Sequence, residues 1–156
     1  MSRKILECVP NFSEGRDRSI LDAIAEAVRT VDGVKLLDVD PGASTNRTVF
    51  TFAGDPEAVV EAAVRAAKAG SERIDMRRHT GEHPRFGALD VCPLVPISGM
   101  SMDETVQLAR KLGARLAEEV SLTIYLYGYA ASLPERADLS VVRAGEYEGL
   151  EAKLRD

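Results

Sequence analysis

Apolar residues recur along this chain at two spacings, and the switches between them mark out its elements. Ile5 to Val9 reads as a short strand. The spacing then becomes helical, with Asp17 as N-cap and Ile20, Leu21, Ile24, Val28 and Val31 on one face of a helix expected to end near Asp32-Gly33. Val34 to Val39 predicts a second strand, Pro41-Gly42 a turn, and Arg47 to Ala53 a β-branched and aromatic third strand, so the two form a hairpin. Asp55-Pro56-Glu57 joins a capping carboxylate, a proline suited to the first helical position and a first-turn acid, opening an alanine-rich helix to about Ser71.

Ala88 to Ile97 predicts a fourth strand, which Pro93 and Pro96 assign to an edge or to an irregular end. Ser101-Met102-Asp103-Glu104 is a capping box for a third helix, whose stripe of Met102, Val106, Ala109, Gly113, Leu116 and Val120 supplies one packing face. Thr123 to Tyr127 predicts a fifth strand, Pro134 a loop or short turn, and residues 146 to 154 a last short helix. The order strand, helix, strand, strand, helix, strand contains a split βαβ arrangement. The expected fold is α+β, a ferredoxin-like two-layer sandwich whose β-sheet carries helices on one face and leaves the other face open.

That open face is the place to look for chemistry. Strict alternation along the second strand sets Leu36, Asp38 and Asp40 on one side and Lys35, Leu37 and Val39 on the other, while Glu7 and Asp90 interrupt apolar strands. Carboxylates in such positions cost free energy unless solvated or paired, so they mark either a polar groove over the sheet or an ordinary hydrated face.

Composition narrows the picture. A chain of 156 residues, 45% hydrophobic and 29% charged, suits one domain with a substantial core. A formal net charge of -5 argues against a broad nucleic-acid or anionic-membrane footprint. MSRKILECVPNF has no apolar stretch of signal-peptide length, and no window approaches the roughly 20 apolar residues of a membrane span, so the expected compartment is the cytoplasm. The two cysteines, Cys8 and Cys92, form no CxxC spacing and are read as reduced core residues rather than a disulfide framework or zinc site.

Both histidines fall in HTGEHPRFGALDVCP, residues 79 to 93. His79 to His83 fits the HxxEH pattern of zinc proteases, but Gly81 weakens the required helix, Pro84 restricts His83, and the spacing offers no third ligand. As a loop at the mouth of the open face, the stretch has two readings. His83 accepts a proton near neutral pH and Arg85 grips a carboxylate in bidentate fashion, or His83 caps a turn while Arg85 pairs with Glu82 or Asp90. DVDPGASTNRT, residues 38 to 48, offers Ser44, Thr45, Asn46 and Arg47 as polar donors but lacks a nucleotide P-loop pattern.

Together ECVPNFSEG (7 to 15), LLDVDPGASTNRTVFTF (36 to 52), GEHPRFGALDVCP (81 to 93), YLYGYAA (125 to 131) and RAGEYE (143 to 148) resemble the N-terminal subdomain of glutamate formiminotransferase, in the formiminotransferase-cyclodeaminase family. The resemblance runs in order through almost the whole chain. It implies transfer of a formimino group between N-formimino-L-glutamate and tetrahydrofolate, with tetrahydrofolate as one-carbon co-substrate and no metal. It also implies that His83 is catalytic, and that Asp40, the polar turn after it and Arg85 border the active-site groove.

On that basis His83 is the expected general base and Asp40 the group that orients or stabilises a cationic amidine-like centre. Arg47, Arg85, Asn46 and Thr45 are the expected substrate-binding residues. The resemblance covers the first of two subdomains, with the C-terminal one expected to be absent, so the chain is expected to work with a separately encoded partner, to be a piece excised from a longer protein, or to stand alone in another role. The expected partners are therefore folate and glutamate derivatives, a separately encoded C-terminal subdomain and further copies of the chain, with no nucleic acid and no membrane. The rival expectation is a non-catalytic binding or assembly module that uses the open sheet face.

Overall fold

The structure, a computed structural model, describes residues 3–74 and 89–120. In chain order the elements are β1 (Ile5–Cys8), β2 (Asn11–Phe12), α1 (Arg18–Arg29), β3 (Val34–Gly42), β4 (Arg47–Gly54), α2 (Pro56–Arg73), β5 (Leu89–Val91), β6 (Leu94–Ser98) and α3 (Met102–Glu119). The predicted elements beyond residue 120 lie outside the described residues, as do Ala88 and the segment holding His79, His83 and Arg85.

β4 is the axis of the sheet. On one edge it pairs with β3; on the other it pairs first with β2, opposite Thr48 and Val49, and then with β1, opposite Phe52 to Gly54. Outside these, β6 pairs with β1 and β5 with β2, and every pairing is antiparallel. Two longer strands are thus each broken once, at Val9-Pro10 and at Cys92-Pro93, and the breaks lie together because the Val9 N–H donates to the Pro93 carbonyl at 3.1 Å. Counting each broken pair as one strand, the order across the sheet is fourth, first, third, second, the ferredoxin-like order. Among the described residues that fourth strand is an edge, where both its prolines are tolerated.

The helices cover one face. Leu6, Cys8, Phe12, Phe50 and Phe52 are fully buried beneath Ile24 and Val28 of α1, Val59 and Val60 of α2, and Leu112 and Leu116 of α3. Phe12 and Phe50 meet edge to face, with ring centroids 5.5 Å apart. Burying each such side chain is worth about 1.5–3 kcal/mol, so this face holds the sheet and helices together. Local signals start the helices: Asp17 accepts from the Ser19 N–H at 3.0 Å, and Ser101 and Glu104 form both halves of the capping box. Pro56 occupies the start of α2, but the Asp55 side chain makes no cap bond and instead takes Arg3 Nη2 at 3.2 Å.

Three further expectations need correction. A β-bulge between Leu36 and Asp38 leaves Leu37 unpaired and 52% exposed, so Leu36 and Val39 pack on the core while Asp38 and Asp40 face the other way. The hairpin turn lies at residues 43–46, and Pro41-Gly42 continues β3, where an edge strand tolerates the missing proline N–H. The buried face of α3 centres on Thr105, Leu112, Gly113 and Leu116, rotated from the expected stripe, with Met102 exposed in the first turn.

Candidate functional site

On the uncovered face, residues from three strands meet around Val49. Asp40 of β3 is its partner on one side and Asn11 of β2 its partner on the other, while Arg47 stands two positions earlier on the same face of β4. Cross-strand partners sit with Cα atoms about 4.5–5.5 Å apart, so these side chains rise from one small area. Asp38, opposite Thr51, and Glu7, opposite Ala53, extend the polar surface along the sheet. Asp40 is exposed.

The arginine is held rather than left to roam. Asn11 Oδ1 accepts from Arg47 Nε at 3.0 Å and from Nη2 at 2.6 Å, while Asn11 Nδ2 donates to the Val9 carbonyl at 3.0 Å. The last bond fixes which end of the amide faces the guanidinium, and two donors on one oxygen fix the guanidinium plane. Asn11 is only 6% exposed, so its polar atoms depend on these partners.

The turn beside the site is clasped by the loop that follows β2. Asn46 takes φ 51°, a left-handed conformation that asparagine tolerates, and its N–H donates to the Ala43 carbonyl at 3.3 Å. Its Oδ1 accepts from the Gly15 N–H at 2.9 Å, Thr45 Oγ1 donates to the Gly42 carbonyl at 3.2 Å, and Arg16 Nε donates to the Ala43 carbonyl at 2.8 Å. Thr48 Oγ1 donates to the Glu14 carbonyl at 2.5 Å. A Cβ on Gly15 would lie 2.3 Å from the Gly42 oxygen, so only glycine permits this approach.

Of the residues singled out from sequence, Asp40 and Arg47 come together on the open face, whereas Thr45 and Asn46 are engaged in building the turn beside them. His83 and Arg85 lie outside the described residues, in the segment leading into β5, whose Val91 is the partner of Asn11. Sequence reasoning missed Asn11, Gly15 and Arg16. The available signal was positional: ECVPNFSEG, which Arg16 follows directly, and DVDPGASTNRT are separate polar stretches in sequence, and the fold places them against one another. No group of three or more His, Cys, Asp or Glu side chains among the described residues is arranged to hold a metal ion. No helix among them is long and apolar enough to cross a membrane.

Fold and site together define a ferredoxin-like α+β domain whose uncovered sheet face bears a carboxylate, an amide-anchored guanidinium and a clasped polar turn. The chain belongs to the formiminotransferase family: the model of the formiminotransferase domain, N-terminal subdomain, matches residues 5–156. It is 57% identical over 152 residues to a formimidoyltransferase-cyclodeaminase of Rattus norvegicus, covering 97% of this chain and 28% of that protein. It is 45% identical over 151 residues to a glutamate formimidoyltransferase of Streptococcus pyogenes serotype M1, covering 97% and 50%, respectively. A glutamate formimidoyltransferase of Thermoplasma acidophilum is 47% identical over 154 residues, with 97% and 51% covered. The chain thus spans about half, or less, of the length of these relatives.

Proposed function

We propose that this chain is the histidine-bearing part of a folate-dependent transferase that moves a formimino group between N-formimino-L-glutamate and tetrahydrofolate, working with a complementary C-terminal subdomain. The observation that carries the reading is the grouping of Asp40 and the Asn11-anchored Arg47 on the uncovered face of a domain in this family. The substrate has the matching chemistry, with a cationic amidine-like group beside carboxylates. Asp40 orients the cation, and Arg47, together with Arg85, holds a carboxylate. Thr45 and Asn46 border the groove through the shape of their turn.

The reacting amine must lose a proton as a tetrahedral centre forms at the formimino carbon. His83 is the general base that takes it, since an imidazole side chain can accept a proton near neutral pH.

The test is formimino transfer to tetrahydrofolate by the purified chain, alone and mixed with the complementary subdomain. Activity in either setting is expected to fall about 10²–10⁴-fold in His83→Ala. In Asp40→Asn it is expected to fall while N-formimino-L-glutamate still binds. No activity in either setting, with a folded chain that binds neither substrate, would favour a non-catalytic module.

A further inference from the structure

Cys8 and Cys92, 84 positions apart in sequence, bring their Sγ atoms to 3.5 Å. Cys8 ends β1 and is fully buried on the helix face; Cys92 is half-buried in the break between β5 and β6. Each cysteine adjoins one of the two strand breaks, which the Val9 to Pro93 hydrogen bond already joins at 3.1 Å. We propose that the two thiols form a reversible oxidation site whose disulfide staples the first and fourth strands at their shared break. This inference does not depend on the proposed transferase activity.

The geometry suits such a bond. Cys8 is the register partner of Leu94, so Cys92 approaches it diagonally across the break, and the observation that carries the proposal is the 3.5 Å between the two sulfurs, which a disulfide would shorten to about 2.05 Å. The two cysteines differ in reach. Burial first, and then the hydrogen bond with Cys92, push the Cys8 thiol up, so Cys8 is the slower nucleophile. With a small disulfide such as oxidised glutathione as oxidant, the half-buried Cys92 reacts first, forming a mixed disulfide and releasing one glutathione thiol. Cys8 sulfur then attacks the Cys92 sulfur, its proton passes to solvent, and the second glutathione leaves as a thiol. Two protein thiols are oxidised and one glutathione disulfide is reduced.

The full chain holds no other cysteine, so intact mass gives a clear readout. After native incubation with oxidised glutathione, wild type is expected to lose the mass of two hydrogens, to recover it with dithiothreitol, and to melt several degrees higher while oxidised. Cys8→Ser is expected to stop at the mixed disulfide on Cys92, and Cys92→Ser to gain neither adduct nor crosslink. The proposal is overturned if folded wild type keeps both thiols free, accumulates the glutathione adduct without closing, or crosslinks only between chains. A wild-type sample unfolded in urea serves as the control that the oxidant is competent.

Discussion

The two faces of this sheet are built from the same strands by different means. On the helix face, Leu6, Phe12, Phe50 and Phe52 are excluded from water and need no specific partner atom. On the open face, Asn11, Arg47 and the turn beside them are held by hydrogen bonds between segments about 30 residues apart in sequence. One face is secured by area, the other by named atoms. Damage to the first should therefore unfold the domain, whereas damage to the second should disable it while leaving it folded.

The sharpest challenge to that contrast is Phe50→Ala. It empties the centre of the core and is expected to cost about 3–5 kcal/mol in urea unfolding, while whatever fraction remains folded keeps its affinity for substrate. A smaller stability effect, with a larger functional one, is expected for Asn11→Ala, which removes the acceptor of Arg47. Unfolding should cost about 1–3 kcal/mol, and KM for N-formimino-L-glutamate should rise at least tenfold while kcat moves much less. An equal fall in kcat with KM unchanged would mean that Asn11 does not act through carboxylate binding.

The smallest effect concerns neither face but the helix starts. Asp17 is held below its ordinary value of 3.8 chiefly by Ser19, and Glu104 below 4.5 chiefly by Lys4. Carboxyls depressed in the folded state contribute stability above their unfolded values and lose it as pH falls through the folded ones. Unfolding midpoints should therefore decline on acidification below those ordinary values, and the decline should flatten in Asp17→Asn and Glu104→Gln.

The contrast also explains what the sequence disclosed. The strands over Ile5 to Val9 and Arg47 to Ala53 were legible because burial of alternate residues, Leu6 and Cys8 in one and Phe50 and Phe52 in the other, imposes a period of two, and Asp17 and Ser101 announced their helices because caps act within three residues. The bulge at Leu37 carried no local mark, since LLDVD reads equally well as unbroken alternation, and it alone decides that Leu36 and Asp38 point apart. Pro41-Gly42 looked like the turn, but the conformation that closes it is taken four residues later, by Asn46. Arg47 could be picked as a polar donor; its anchor on Asn11 could not, because the two meet only once β2 is aligned on β4.

The clasp on the hairpin turn also bears on how the domain can be rebuilt. Ala43 and Ser44 are exposed in a short loop, which is where an engineer would ordinarily open the chain for a permutation or splice in a tag. Here the carbonyl of Ala43 serves Arg16, Asn46 serves Gly15, and Gly15 leaves no room for the turn to shift. Lengthening that loop would loosen the segment between β2 and α1 along with it, so an apparently idle turn is a poor graft site, and residues flanking it should be varied only as a set.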